Sequence, residues 1–211
     1  MENINNLQNL KKILIIDDHD MFAKGLVRLF NQTNWANVIA TVKNSTEGLK
    51  LIQELQPDIL LLDLYLGKNI SLKIIPQIKE ISPATKIVIL TISDCIEDVL
   101  ATAEYDIDGY ILKNTDFEQF ELYLNDIVKG NVRASDSLAS LLFTEFLSLS
   151  NAKNKKLTLR EREVADFLKQ GLSNKEIAKI LNLSLYTVKC HVSSIIKKQK
   201  LTNRYELLNK N

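Results

Sequence analysis

The feature that most constrains this chain is the alternation of short apolar runs with helix-like segments across residues 1–130. The runs predict strands at residues 13–16, 38–42, 59–62, 86–90 and 109–112. Those at 59–62 and 87–90 are continuously apolar, which is typical of strands buried on both faces of a parallel sheet. Helical patterns fall at about residues 20–33, 45–55, 70–80, 95–104 and 116–129. This order predicts an α/β doubly wound fold with a five-stranded parallel sheet.

Capping residues mark several of these helices. Asn44 with Glu47 and Thr115 with Glu118 place a side-chain oxygen three residues before an acidic residue, which is typical of a helix start. Gly130 indicates where the last of them ends. Pro76 falls within the third helical pattern, and there it is tolerated only in the first turn or at a kink.

The pattern changes after residue 130, because no strand-like run follows. Residues 131–155 are predicted to form a linker that contains one amphipathic helix. Helices are expected beyond it at about 159–169, 174–181, 185–199 and 203–209, with capping pairs at Thr158 with Glu161 and at Ser173 with Glu176. A tight turn at residues 182–183 is typical of a helix-turn-helix. The chain is therefore predicted to join an α/β domain at 11–130 to a small all-α, four-helix domain at 156–211.

Charge divides the chain in the same way. Residues 1–130 carry 12 Lys and Arg against 19 Asp and Glu, whereas residues 153–211 carry 14 against 5. The basic tail therefore predicts a polyanionic partner. No run is long and apolar enough to span a membrane, and no secretory signal is evident, so a cytoplasmic protein is expected. The spacing of Cys95, Cys190, His19 and His191 favours neither a disulfide nor a zinc-type site.

Polar residues stand at the carboxyl ends of four predicted strands. Asp17 and Asp18 follow the first strand, Asp63 the third, Thr91 the fourth and Lys113 the fifth. Function in open α/β sheets gathers at this edge. Several carboxylates converging there would repel one another unless a cation neutralised them, and their oxygen atoms suit Mg²⁺. The sequence therefore predicts a magnesium site.

Four strings, IIDDH, LLLDLYL, ILTIS and GYILK, resemble the flavodoxin-like receiver domain of bacterial two-component response regulators. The resemblance implies that Asp63 accepts a phosphoryl group. It also implies that Asp18, Asp63 and the backbone carbonyl of Tyr65 hold Mg²⁺, with support from Asp17. Lys113 and Thr91 would contact the phosphoryl oxygens, where Mg²⁺ and one lysine supply the charge that this chemistry requires.

The same resemblance pairs Thr91 with Tyr110 as a conformational switch. The chain departs from the family after Asp63, where a Pro-Gly pair and a second glycine are usual and this sequence reads LYLGKNISLK. That departure affects the conformation of the loop rather than the identity of the acceptor. His19 is expected to be a solvated loop residue.

The tail resembles the LuxR/NarL class of DNA-binding domains through the strings REREV, GLSNKEIA and TVKCHV. Helical spacing predicts a small core of Val164, Phe167, Leu168, Ile177, Ile180, Leu181, Val188, Val192 and Ile195. A helix starting near residue 184 would turn Thr187, Lys189, Cys190 and Ser193 outward, into the major groove of DNA. The resemblance gives base-reading positions to Lys189, Cys190 and Ser193, and backbone contacts to Thr187 and Lys197.

Together these features identify a NarL/FixJ-type response regulator rather than an enzyme. A histidine kinase would phosphorylate Asp63, and phosphorylation would switch binding to double-stranded DNA and favour a homodimer. Three alternatives are a phosphorylation-independent DNA-binding regulator with a degenerate receiver, an aspartyl-phosphate hydrolase of the same architecture, and an RNA-binding tail. Short loops without a substrate-capping insertion oppose the second. The lack of an aromatic stacking platform opposes the third.

Overall fold

The computed structural model describes residues 10–67, 69–93, 96–136, 138–139, 143, 157–181, 183 and 185–207. The described residues fall into two compact units. The first contains those up to Thr91 together with Ala101–Ser135, and the second contains those in Ile92–Leu100 together with those after Ser135. The linker predicted at 131–155 lies largely outside the described residues, so its boundaries stay a prediction.

The strands and helices up to residue 135 follow the predicted alternation closely. In chain order they are β1 (Lys11–Ile16), α1 (Asp20–Phe30), β2 (Ala36–Val42), α2 (Ser45–Leu55), β3 (Ile59–Asp63), β4 (Tyr65–Leu66), β5 (Asn69–Ile70), a 3₁₀ turn (Ser71–Ile74), α3 (Ile75–Ile81), β6 (Lys86–Thr91), α4 (Ile96–Thr102), β7 (Gly109–Leu112), α5 (Phe117–Val128) and β8 (Arg133–Ala134).

The main sheet is parallel, with the strand order β2-β1-β3-β6-β7-β8. The described residues of this sheet therefore form six strands. The prediction of five strands missed the short strand β8. That strand pairs Arg133 with Gly109 and Ala134 with Tyr110. A pairing of two residues carries no periodic pattern that a sequence could display. A separate two-stranded hairpin joins β4 to β5 in the loop after Asp63.

Each face of the sheet is covered by helices, because successive side chains of a strand point to opposite faces. On one face Ile13, Ile15, Leu61, Leu90 and Ile111 pack in a single cluster with buried side chains of α1 and α5. Residues of opposite parity, such as Leu14, Leu62 and Ile89, are also fully buried. Burial on both faces explains why β3 and β6 read as continuous apolar runs.

The predicted capping pairs are confirmed with one exception. Asn44 caps α2 by accepting a hydrogen bond from the backbone N–H of Glu47. Pro76 lies in the first turn of α3, where its missing N–H costs nothing. The predicted cap at Thr115 was wrong, because Asp116 caps α5 by accepting from the N–H of Gln119. Thr115 and Asp116 each stand three positions before a polar residue, so the capping pattern alone could not show which of the two is the cap.

The second unit contains α6 (Leu159–Lys169), α7 (Asn174–Leu181), α8 (Leu185–Lys198) and a final 3₁₀ turn (Arg204–Leu207). The fourth predicted helix is thus a 3₁₀ turn within the described residues, and residues 208–209 lie beyond them. The small core contains Val164, Leu168, Ile177, Val188, Val192 and Ile195, with Phe167 and Leu181 packed at its edge. Ile180 was wrongly placed in this core, since it is 55% exposed.

The described residues hold no helix that combines the length and the apolar composition needed to cross a lipid bilayer.

Candidate functional site

The strand ends bring the predicted polar residues of the first unit to one edge of the sheet. Asp17 and Asp18 follow β1, Asp63 ends β3, and Lys113 follows β7. Three of these side chains are almost completely enclosed: Asp17 is 2% exposed and Asp63 3% exposed, and the Lys113 side chain is 6% exposed. Because β1 and β7 lie on either side of β3 and β6, their loops converge over the end of β3.

Lys113 binds two of the carboxylates. Its Nζ atom lies 2.6 Å from Asp17 Oδ2 and 2.8 Å from Asp63 Oδ2. The ammonium also lies 4.9 Å from the centre of the Phe22 ring, close enough for a cation–π contact. A single cation therefore holds both enclosed carboxylates in fixed positions.

The pKa of Asp63 is raised from its ordinary value. Burial is the largest cause, because it removes the water that stabilises the charged form, and the nearby charge of Asp17 acts in the same direction. Lys113 opposes both effects without cancelling them. The acceptor candidate thus lies in a pocket that is short of positive charge.

The pocket fits a divalent cation. Ligand atoms of Asp17, Asp18, His19 and Asp63 lie within 4.8 Å of one another. Asp18 Oδ1 is buried and accepts no hydrogen bond of good geometry among the described residues, although the His19 Nδ1 atom lies 3.1 Å from it. Three carboxylates and the Lys113 ammonium give the pocket a net charge of −2, which one divalent cation would balance. Oxygen donors of this kind suit Mg²⁺.

His19 belongs to this pocket, which the sequence analysis did not foresee. Its Nδ1 atom lies 3.1 Å from Asp18 Oδ1, 3.2 Å from Asp17 Oδ1 and 3.3 Å from Asp63 Oδ2. The side chain is 60% exposed, so the expectation of a solvent-accessible ring was correct. Its position directly after two aspartates was the only sequence signal that could have indicated this role.

The unusual loop after Asp63 folds as the β4–β5 hairpin. Gly67 adopts a φ of 63° at its turn and donates its backbone N–H to Asp18 Oδ2 at 2.8 Å. A proline at this position could not make that bond, because it has no N–H. Ser71, which is buried, donates its hydroxyl to the backbone carbonyl of Asp63 at 2.6 Å. The loop therefore supports both an acceptor and a metal ligand of the predicted site.

Thr91 and Tyr110 lie on the same face of the sheet. Thr91 pairs with Leu112 and Ile89 pairs with Tyr110, so all four side chains share one parity. Thr91 and Tyr110 are both buried, with exposed fractions of 1% and 3%. Tyr110 is therefore almost fully enclosed, and its role as a switch stays a prediction.

The second unit presents a polar stripe on α8. Lys189, Ser193 and Lys197 are all exposed, and their spacing of four residues places them on one side of the helix. Cys190, the remaining base-reading candidate, is partly exposed. A helix with such a face has the dimensions of the DNA major groove.

The outward direction predicted for Thr187 was wrong, since its side chain is only 2% exposed. Ser194, seven residues further along α8, is also buried, and one turn later Lys198 forms an ion pair with the buried Glu161 at 3.0 Å. Polar residues of α8 can thus face inward when a partner is present. Their polarity alone had suggested that they face solvent. A direct contact between Thr187 and a DNA phosphate would need a change in this packing.

Comparison with known proteins finds two family matches along this chain. Residues 13–125 match the response regulator receiver domain. Residues 155–210 match the bacterial regulatory proteins of the luxR family.

Whole-chain relatives agree with these matches. The nitrate/nitrite response regulator protein NarL of Escherichia coli K12 is 33% identical over 198 residues, which cover 92% of this chain and 91% of NarL. The oxygen regulatory protein NreC of Staphylococcus aureus JH9 is 35% identical over 205 residues, which cover 93% of this chain and 94% of NreC.

Solved structures of response regulators are similar to this chain. The RcsB response regulator of Salmonella typhimurium, in a study of its interaction with DNA, gives a TM-score of 0.63 at 28% identity, over 95% of this chain and 97% of that one. RcsB of Salmonella enterica, bound to promoter DNA in the presence of a phosphomimetic, gives a TM-score of 0.59 at 27% identity. The match covers 95% of this chain and 97% of that one.

Proposed function

The chain belongs to the NarL/FixJ family of two-component response regulators, with a receiver domain and a LuxR-type DNA-binding domain, and on that premise we propose that phosphorylation of Asp63 controls its binding to DNA. The observation that carries the proposal is the contact of 2.8 Å between Asp63 Oδ2 and Lys113 Nζ in an enclosed pocket. The donor would be a histidine kinase, as expected for a two-component regulator.

The residues of the pocket divide the work of phosphoryl transfer. Asp63 would supply the attacking carboxylate oxygen, and Lys113 would balance the charge that develops on the phosphoryl oxygens. Asp17, Asp18, Asp63 and the backbone carbonyl of Tyr65 would hold Mg²⁺, which supplies further positive charge when bound. Thr91, at the end of β6, would contact the phosphoryl group and transmit its presence towards Tyr110.

The DNA-binding domain would place α8 in the major groove. Lys189, Cys190 and Ser193 would read base edges, and Lys197 would contact the phosphate backbone. The net positive charge of residues 153–211 supports this assignment, because phosphate contacts supply much of the affinity for DNA. Phosphorylation would favour a homodimer, in which two such helices read a repeated half-site.

The proposal is tested by intact-mass analysis after incubation with a small phosphodonor and Mg²⁺. Wild-type protein should gain one acid-labile phosphoryl group, and the variant Asp63→Asn should gain none. Asp58→Asn is a suitable control, since Asp58 also lies in the first unit but accepts hydrogen bonds from Lys11 and the backbone of Lys12. Equal labelling of wild type and Asp63→Asn would rule out Asp63 as the acceptor.

A further inference from the structure

The hydroxyl of Ser71 takes no part in the proposed phosphoryl transfer, yet it reaches back to the acceptor. Ser71 begins the 3₁₀ turn after β5, eight residues beyond Asp63. Its Oγ atom donates to the backbone carbonyl of Asp63 at 2.6 Å, and its own N–H donates to the carbonyl of Leu64 at 2.9 Å. One residue thus holds two consecutive carbonyl groups, and the first of them belongs to the acceptor.

Ser71 is itself fixed by its surroundings. The residue is 3% exposed, Leu72 beside it in the same turn is 2% exposed, and Ile75 at the start of α3 is 1% exposed. Close packing of this kind leaves a side chain little freedom to point elsewhere. A buried hydroxyl also needs a hydrogen-bond partner, which the Asp63 carbonyl provides. The turn is therefore a rigid support for the bond to Asp63.

The backbone that Ser71 holds also determines the direction of the acceptor carboxylate. Asp63 Oδ1 accepts a hydrogen bond from the backbone N–H of Tyr65 at 3.3 Å, and Asp63 Oδ2 lies 2.8 Å from Lys113 Nζ. The first of these bonds spans two residues, as in an Asx turn, so it depends on the conformation of the chain between them. The same stretch of chain carries the Tyr65 carbonyl, which is expected to hold Mg²⁺.

We infer that Ser71 is a positioning residue of the acceptor site: its hydroxyl fixes the backbone that orients the Asp63 carboxylate and the Tyr65 carbonyl. Ser71 acts through Asp63 and contacts neither the metal nor the phosphoryl group. A misplacement of about 1 Å can slow a reaction roughly 100-fold, so the loss of this bond affects the chemistry as well as the packing. The effect on phosphorylation rests on the proposed function, whereas the effect on Mg²⁺ binding does not.

The test begins with Ser71→Ala in the full-length protein, which removes the hydroxyl and little volume. Mg²⁺ binding, followed by an NMR titration, should weaken roughly 10-fold, as it does when a group that orients a metal ligand is lost. At saturating Mg²⁺, labelling by a small phosphodonor, followed by intact mass, should slow roughly 10- to 100-fold. Ser71→Thr keeps the hydroxyl and should restore most of both properties.

Thr85→Val is the matched control. Thr85 is completely buried, and its Oγ1 atom donates to the backbone carbonyl of Pro57 at 2.7 Å. Thr85 directly precedes β6 and Pro57 lies two residues before β3, so this bond is at the opposite end of the sheet from Asp63. The control therefore loses the same kind of buried bond. It should lower the melting temperature, as Ser71→Ala does, but should leave Mg²⁺ binding and labelling unchanged.

Three results would overturn the inference: unchanged Mg²⁺ affinity in Ser71→Ala, equal losses in Thr85→Val, or a Ser71→Thr variant as impaired as Ser71→Ala. If wild-type protein is labelled, an unchanged labelling rate in Ser71→Ala would overturn it as well. A wild-type protein that takes up no phosphoryl group would refute the proposed function instead, and the Mg²⁺ titrations would still decide the role of Ser71.

Discussion

At the scale of single residues, the proposed function assigns acceptor chemistry and its readout to different side chains. Asp63 and Lys113 are joined by an ion pair of 2.8 Å, whereas Thr91 lies at the end of the neighbouring strand β6 on the same face as Tyr110. Removing the threonine hydroxyl leaves the ion pair and the carboxylates untouched. Its loss should therefore affect the response more than the reaction.

Thr91→Ala should still accept a phosphoryl group but should dimerise weakly after phosphorylation, because the contact that reports the phosphoryl group is missing. Intact mass measures the first property and light scattering the second. Normal dimerisation of the labelled variant would remove Thr91 from the switch.

Glu161 links the start of α6 to the end of α8. Burial raises its pKa, but the N–H of Thr158 at 2.7 Å and the ammonium of Lys198 outweigh burial, so that the pKa falls below its usual 4.5. A lowered pKa in the folded state contributes stability above the unfolded value and loses it as pH falls through the folded value.

Glu161→Gln should therefore lower the free energy of unfolding of the DNA-binding domain at pH 7 by about 1 to 3 kcal/mol, because it weakens a buried, charge-assisted network. The deficit should shrink as pH falls below the ordinary glutamate pKa of 4.5 and then through the lowered folded-state pKa of Glu161, because the glutamate becomes protonated there. Chemical unfolding at several pH values measures both effects. Glu163→Gln, at an exposed ion pair with Arg160, should change stability by less than about 0.5 kcal/mol. A constant deficit across the whole pH range would contradict the assignment.

Lys189 is the exposed residue of α8 from which base reading is most clearly expected. Lys189→Ala should cost about 1 to 3 kcal/mol on the preferred site and should relax the choice of base there. Affinities for specific and scrambled duplexes at several salt concentrations test this. A uniform loss across sequences, with a salt slope smaller by about one, would indicate a phosphate contact instead. Lys129→Ala, in the first unit, is the control.

At the scale of elements, close packing of α2 on the sheet depends on Gly48. A methyl group there would come within 2.3 Å of Ile16 Cδ1 and 3.0 Å of Ile16 Cγ1, in a side chain that is completely buried. Gly25, in α1, has no atom within 4 Å of the same added carbon. The two helical glycines therefore have opposite tolerances.

Gly48→Ala should destabilise the receiver domain by about 1 to 3 kcal/mol through overpacking. Gly25→Ala should be neutral or stabilising by up to about 1 kcal/mol, since alanine favours helix at an uncrowded position. Thermal and denaturant unfolding compare the two. Equal effects would show that Ile16 can move aside, and that the contact does not fix the position of α2.

The sequence predicted elements well where many residues share one pattern. Continuous apolar runs located β3 and β6, and a side-chain cap located the start of α2. The strand β8 and the β4–β5 hairpin involve two residues in each strand, too few to show a period. Thr187 was misplaced because a helical wheel separates polar from apolar residues, whereas α8 also turns polar residues inward, among them Ser194 and Lys198, which interact with Glu161. His19 was missed because its role depends on three carboxylates from two separate loops.

At the scale of the whole molecule, the charges of the two parts differ in sign. Residues 153–211 carry 14 basic and 5 acidic residues, whereas residues 1–130 carry 12 and 19. The acidic receiver would repel DNA phosphates from a distance, while the tail attracts them. On the proposed function, phosphorylation would favour a state in which the tail binds DNA despite its acidic neighbour, and dimerisation would supply such a state through a second DNA-binding domain.

The most direct test of this account is the affinity of the full-length protein for a genomic DNA fragment that it protects in a footprint. The measurement compares wild type and Asp63→Asn, each with and without a small phosphodonor and Mg²⁺. We expect the phosphodonor to tighten binding by wild type severalfold or more and to leave Asp63→Asn unchanged. Equal affinity in all four samples would contradict control by Asp63 and would favour a regulator that binds DNA independently of phosphorylation.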